Sequence, residues 1–358
     1  MPETFSRPKD RPYLRENLHL CRKVKVNMSG KIRRIVSTVI PDPFIAGILL
    51  MILLARIFPG IGAEGSVIEL RQLIKYGITL LFFFYGLKLD PARLKHDLGN
   101  WRLHVVIQGI TFLLFPFLLL LFYPLFRGSD QEILWLSVFF LAALPGTVSS
   151  SVVMVSIAGG NIPAAIFNAS ISGVIGIILT PAWMGLFLDQ QAGSFSFGPV
   201  IRDLTLQVLV PVIVGLILHR YWGNWAMRNR KRISWFDKSV ILAIVYRSFG
   251  DSFTNGIFTS IPVHSLLLLS AGVIALFFVV FEATKYLTRR LHLNREDRIT
   301  VLFCGSKKSL VHGSVMVGVL FAGSTLGSLF LVPVMIYHAF QLFYIGVVAG
   351  KYGREIQH

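Results

Sequence analysis

Two adjacent lysines, Lys307 and Lys308, stand in the stretch FCGSKKSLVHG (303–313), between the apolar runs ITVL and VMVGVLFAG. A lysine at the centre of a bilayer helix costs about 2.5–3.5 kcal/mol on insertion scales, so a pair of them there needs a compensating use. Ser306 and Ser309 flank the pair, and a second polar interruption, PGTVSSSV from Pro145, sets Ser149, Ser150 and Ser151 inside another apolar run. Glycine with small polar residues in mid-span can break a membrane helix. The break frees backbone N–H and C=O groups, tolerated at that depth where they line a cavity or bind something. The chemistry on offer is therefore ion binding: ammonium groups for an anion, hydroxyls and carbonyls for a cation. Two plainer readings compete. Glycine and serine also allow close helix packing, and lysines can snorkel to the surface. From Ile299 to Lys307 is eight residues, about 12 Å of helix, which is deep for snorkelling.

Other polar residues interrupt apolar runs more weakly. Arg247 and Asp251 are four apart on one helical face and can neutralise each other, or line a cavity together with Asn255. His312 lies about one turn from Lys308, and His338 and Gln341 share a face of the last apolar run. Glu282 has Lys285 three residues on, a pairing typical of a solvated helix end.

The elements that must position these groups follow from composition. The chain has 358 residues, 54% hydrophobic and 15% charged, a balance that excludes an ordinary soluble domain and reads as an all-α polytopic membrane protein. Ten runs approach the roughly 20 apolar residues needed to cross a bilayer: about 42–59, 72–89, 102–125, 132–157, 161–188, 201–219, 238–260, 264–288, 298–322 and 325–350. Residues 1–40 carry ten Lys/Arg and no long apolar segment, which reads as a basic cytoplasmic tail rather than a signal peptide. With that tail inside, 27 of the 35 Lys/Arg fall on the cytoplasmic side and five outside. This asymmetry is the positive-inside pattern, and it places both ends, including 351–358, in the cytoplasm. The net charge of +17 thus faces anionic lipid, not nucleic acid.

The runs repeat. PFIAGILL from Pro43 and PVIVGLIL from Pro211 share proline, isoleucine and glycine in register. The fourth and ninth runs each carry a glycine-centred interruption, at Gly146 and Gly305, and the fifth and tenth each carry a proline, Pro181 and Pro333. Five runs per half is odd, so the halves, 41–190 and 191–350, must enter the membrane in opposite orientations. Inverted repeats with interrupted helices in matching positions point to secondary transporters.

The motifs FFFYGLKLD (82–90), WRLH (101–104), TVSSSV with AGGN (147–161), LTP (179–181), ITVLFCGSKKSL (299–310) and YHAFQL (337–342) resemble the bile-acid:sodium symporter superfamily. The similarity is to its divergent branch, containing the seventh member of solute carrier family ten and its bacterial relatives. The resemblance implies ten helices in two inverted five-helix repeats. Helices 1, 2, 6 and 7 would form a panel domain and helices 3–5 and 8–10 a core domain, with broken helices 4 and 9 crossing at the core's centre. It implies sodium-driven transport of an organic anion by alternating access, in an integral plasma (bacterial inner) membrane protein. Carried over by position, it assigns substrate or ion contacts to Ser149, Ser150, Ser151, Lys307 and Thr111, with Gln108 about one turn from Thr111; on the fifth helix Ala165 and Ala169 stand at the expected hydroxyl positions, with Asn168 and Ser170 adjacent. The interruption itself adds Ser306, Lys308 and Ser309 as candidate contacts, and Ser150, Ser151 and Asn168 make a candidate sodium site. Asp251 and Asn255 would face the cavity from the panel. The sequence also departs from that pattern. Where sodium-coupled members hold a glutamate and a glutamine around the ninth-helix glycine, Phe303 and Lys307 stand here. Lys307 is therefore expected to place its ammonium where those relatives bind sodium, among the serines and the carbonyls of the break.

No glycine-rich phosphate loop, His/carboxylate metal pattern or intramembrane carboxylate pair is present, which argues against an enzyme and against direct coupling to ATP. No cofactor is expected beyond a coupling sodium. An uncoupled or proton-coupled carrier, or a channel or regulatory membrane protein, is the competing reading. The charge asymmetry gives a direct test of orientation: in a cysteine-free background, cysteines at Gly128 and Gln190 should react with impermeant thiol reagents from outside intact cells. One at Asn229 should not, and its labelling from outside would reverse the topology.

Overall fold

The computed structural model describes residues 43–59, 69–89, 100–191, 202, 205–256, 262–321 and 326–355. The basic stretch 1–40 lies outside them. Among the described residues every regular element is helical. Helix α1 (Pro43–Ile57) and α2 (Leu70–Lys88) come first, then α3 (Trp101–Gly109), which runs through a π-helical turn (Ile110–Leu114) into α4 (Phe115–Leu120) and a short α5 (Tyr123–Phe126). Next are α6 (Glu132–Ala143), α7 (Ser149–Ala158) and α8 (Ile162–Gln191). A second π-helical turn (Thr205–Leu209) leads into α9 (Val210–Arg228), followed by α10 (Arg230–Thr254) and α11 (Val263–Arg290). The chain ends with α12 (Arg295–Gly305), α13 (Leu310–Leu320) and α14 (Gly327–Arg354).

Among the described residues, five continuous helical runs are long and apolar enough to cross a membrane: Trp101–Leu120, Ile162–Phe187, Thr205–Arg228, Val263–Arg290 and Gly327–Arg354. The sequence shows ten apolar runs, and the difference has physical causes. The fourth and ninth runs are each divided into two short helices, α6/α7 and α12/α13. Helices α2 and α10 carry charge within their length, Arg71 and Lys75 on the first and Arg247 and Asp251 on the second. Leu49, Leu50 and Leu53 of α1 and Leu267 and Leu268 of α11 are more than half exposed. Such apolar outer faces suit lipid as the solvent rather than water.

Packing follows two rules. Where helices meet through rings, the rings interlock. Trp135 and Phe139 of α6 lie against Phe187 of α8, with Tyr123 beside them, while Phe277 of α11 lies against Tyr337, Phe340 and Tyr344 of α14. Where helices cross tightest, glycine removes the side chain. A Cβ on Gly86 of α2 would stand 2.1 Å from the Val212 carbonyl oxygen of α9, and one on Gly215 of α9 would stand 2.2 Å from that of Phe83. The two backbones touch directly, as small residues permit between membrane helices. His219 of α9 bonds the Leu87 carbonyl at 2.8 Å, and Lys88 of α2 pairs with Asp237 of α10 at 3.3 Å. Helix α2 also packs on α10 through Gly77 against Val240, and α1 meets α10 through Gly47 against Leu242.

Either contact at the α2–α9 crossing can be relieved only by moving a backbone, so Gly86→Ala and Gly215→Ala should each cost about 1–3 kcal/mol or more. Gly272→Ala on α11, whose added Cβ meets nothing within 4 Å, should be neutral or slightly stabilising. Thermal unfolding of the three purified variants checks this; equal melting points would show that the crossing yields.

Candidate functional site

A membrane helix that stops in mid-bilayer must find new partners for its last four carbonyls. At and just beyond the end of α6 the carbonyls of residues 142–145 each have one. The Ala143 carbonyl takes the Thr180 hydroxyl of α8 at 2.8 Å. The Pro145 carbonyl takes the Ser309 N–H from the other break at 2.9 Å. The Ala142 and Leu144 carbonyls take the Lys308 ammonium, at 2.6 and 2.8 Å. The N–H of Gly146, which an unbroken helix would give to Ala142, goes to the Ser172 hydroxyl at 3.0 Å.

The third proton of Lys308 goes to the Thr111 carbonyl at 2.7 Å. That oxygen is available for a local reason. In the π-helical turn the Phe115 N–H bonds Ile110 instead of Thr111, and the next residue, Pro116, has no N–H to give. The ring of Phe115 then lies under the ammonium, 4.0 Å from its centroid, where the negative face of an aromatic attracts a cation. Lys308 is 0% exposed, so it does not snorkel, and all three of its donors are used.

The second break, 306–309, is held from α14. The Gln341 side chain accepts from the Lys308 N–H at 2.8 Å and donates to the Lys308 carbonyl at 2.7 Å, clamping one residue at both polar atoms. Tyr337 donates its hydroxyl to the Ser306 carbonyl at 2.7 Å. Ser309 caps α13 by accepting from the His312 N–H, and its hydroxyl meets His312 Nδ1 at 2.9 Å. The two breaks touch. Besides the Ser309–Pro145 bond, Ser151 donates to the Phe303 carbonyl at 3.3 Å, and a Cβ on Gly146 would lie 3.3 Å from the Cys304 carbonyl oxygen.

Lys307 differs from its neighbour. It too is 0% exposed, but its ammonium has no hydrogen-bond partner among the described residues. The sequence pattern places Lys307 among the freed carbonyls; in the structure Lys308 takes that position. Adjacent side chains on a non-helical stretch diverge, so the two lysines of one break reach different surroundings. Ser150 and Ser151 bond Thr147, at 2.9 and 2.8 Å, at the start of α7, which Ser149 opens without a side-chain cap on the helix. Asn168 lies elsewhere: its amide nitrogen bonds the Ala164 carbonyl and His104 Nδ1, at 2.8 and 2.7 Å, and its Oδ1 accepts from Gln108 at 3.1 Å. No hydrogen bond among the described residues joins it to Ser150 or Ser151. The Thr111 hydroxyl returns to the Ile107 carbonyl, so Thr111 serves the site through its backbone. Asp251 pairs with Arg247 at 3.3 Å, and the Asn255 amide bonds the Asp251 carbonyl at the end of α10.

Several contributors carry little sequence signal. Phe115, Ser172, Thr180 and Tyr337 read as ordinary core residues, and a carbonyl has no letter of its own. The Phe115–Pro116 step does carry a signal, since a proline inside a helix withholds a hydrogen bond. Asn100, just before the WRLH motif, and Asn161 of the AGGN motif meet at a polar corner. There Asp297 of α12 accepts from Asn100, Asn161 and Asn294, and Asn161 N–H bonds the Thr300 hydroxyl.

Lipid-facing helices around two interrupted helices, their backbone groups spent on each other, define an integral membrane protein with a polar centre. The family model for the SBF-like CPA transporter family matches residues 42–354. PA2026 of Pseudomonas aeruginosa is 38% identical over 316 residues, 88% of this chain and 94% of that protein. YfeH of Escherichia coli K12 is 36% identical over 317 residues, 88% and 94% of the two chains. Sodium/bile acid cotransporter 7 of Mus musculus is 31% identical over 303 residues, 84% of this chain and 88% of the mouse protein. The chain belongs to the SBF-like CPA transporter family, and it is a transporter rather than an enzyme.

The clamp on Lys308 gives a stability prediction. Gln341→Leu strands a buried N–H and a buried C=O at once, which should cost about 1–3 kcal/mol per stranded group. The variant's melting point should fall well below that of Ser270→Ala, which removes one partly buried hydroxyl bonded within α11. Similar melting points for the two would show that the clamp contributes nothing.

Proposed function

We propose that the chain is a secondary carrier for a small organic anion, which binds where the two breaks cross and reaches either side of the membrane by alternating access. The observation that carries this is Lys307: a buried ammonium with no hydrogen-bond partner among the described residues, on the break where two interrupted helices meet. A buried charge without a partner is costly, so a ligand that brings the opposite charge gains the interaction the protein leaves unmade. The electrostatics around it have the same sign. Helix α7 begins at the crossing with no side-chain cap and α13 begins there behind its Ser309 cap, so two positive dipole ends lie beside the break that carries the lysine. The mouse relative's name couples sodium to bile acid, which supports a carrier of an anion as the class.

In this reading α1, α2, α9 and α10 form the panel and α3–α8 with α11–α14 the core, the two inverted five-helix repeats being folded into both. The glycine-mediated α2–α9 contact would keep the panel stiff while the core moves. The membrane is the bacterial inner membrane, with both ends cytoplasmic as the charge asymmetry indicates. Sodium is the first candidate for the driving ion, by the mouse relative's name, with proton coupling through Lys307 as the alternative.

Counterflow in proteoliposomes tests the class: preloaded unlabelled anion should speed entry of the labelled anion, which a channel would not do. The anion comes from a thermal-stability screen of purified protein against organic anions. Lys307→Gln should weaken its binding about tenfold or more, the worth of a hydrogen bond to a charged group. Lys307→Arg should not restore it, because the larger fork bonds differently. Unchanged binding by Lys307→Gln would remove the lysine from the site, and uptake with sodium exchanged for choline at varied pH reads the driving ion.

A further inference from the structure

The surroundings of the Lys308 ammonium are those of a cation site. Three backbone oxygens converge on one point, from Thr111, Ala142 and Leu144, at 2.7, 2.6 and 2.8 Å. They come from two separate elements, and each is released by a local departure from α-helical bonding rather than by a loop open to solvent. Two of the oxygens lie at the C-terminal end of α6, the negative end of its dipole, and the Phe115 ring closes the point with a face that also favours positive charge. Every group in this first layer attracts a cation. No carboxylate takes part, and no cluster of three or more His, Cys, Asp or Glu that could hold a metal occurs among the described residues. At 2.6–2.8 Å the oxygens stand well beyond the roughly 2.0–2.1 Å of magnesium and at or beyond the long end of the roughly 2.3–2.6 Å of calcium. A ring of neutral carbonyls at this spacing instead replaces the hydration shell of a monovalent ion, as in potassium filters.

We propose that Thr111, Ala142 and Leu144 form a latent monovalent-cation site, kept filled by the tethered ammonium of Lys308. The lysine supplies the positive charge from within the chain, so the crossing is held together without a diffusible ion at this point. Emptying the cage should then create a site for one. Lys308→Ala leaves the three oxygens in place with room between them, while Lys308→Met fills the room with an uncharged chain of similar length. The role differs from that proposed for Lys307, and its test needs no substrate, so either reading can fail alone.

The experiment is thermal unfolding of the purified full chain, with sodium, potassium and ammonium chloride each titrated against choline chloride at constant ionic strength. The Lys308→Ala midpoint should rise with the logarithm of the concentration of at least one small cation, as for a ligand bound by the native state alone. Wild type and Lys308→Met should shift less, because their cages are occupied. A Lys308→Ala response no larger than that of Lys308→Met overturns the proposal. Failure to obtain folded Lys308→Ala in any of the three salts overturns it as well, since a filled cage would hold the crossing.

Discussion

One ammonium group carries the centre of this molecule. Lys308 donates to three carbonyls that belong to two different helical runs, α3–α4 and α6, while its own backbone is gripped by α14 through Gln341. In the low-dielectric interior, hydrogen bonds to a charged donor are stronger than neutral ones, and leaving any of these carbonyls unmet is expensive. The interruption of α6 is affordable only because something cationic meets its end.

The remaining architecture can be derived from that constraint. If α6 is to stop at Ala143, the Thr180 hydroxyl must be presented by α8 and the Ser309 N–H by the second break, so α8 and α12–α13 are fixed relative to α6. If the 306–309 segment is to hold an extended lysine, its own polar atoms need Tyr337 and Gln341, so α14 must run alongside. Lipid offers no competing hydrogen bonds, which makes this mutual satisfaction compulsory in a way it would not be in water. The apolar periphery has looser requirements. Ring against ring and glycine against backbone suffice there, because packing rather than a water-driven core holds membrane helices together.

The sequence made the interruptions legible and their contents much less so. Gly146 with its serines and Gly305 with its lysines stand out because polar letters in an apolar run are rare and costly. Lys307 and Lys308 cannot be told apart at that level: both are lysines at the same depth, and the difference lies in which way a non-helical backbone turns each side chain. The carbonyls of Thr111, Ala142 and Leu144 are invisible in the letters, since every residue owns one. Thr111 illustrates this well, for its hydroxyl suggested a ligand while its backbone oxygen does the binding. Asn168 resembled a partner of the serines by chain position, yet α8 turns it toward His104 and Gln108. Gly86 and Gly215 sit inside readable motifs, but that they face one another is a tertiary fact.

The π-helical turn at Ile110–Leu114 has a consequence for the length of the chain. A π turn holds one residue more than an α-helical turn can accommodate, and each residue rotates a helix by about 100°. The surplus residue therefore sets the angular phase between α3 and everything after it. With the surplus, Phe115 turns fully inward and the Thr111 oxygen is released. Without it, the helix would close its own bond at Thr111, and α4 would present a different face. The number of residues between Trp101 and Pro116, as distinct from their identity, thus determines whether a lysine nearly two hundred positions later finds its third acceptor.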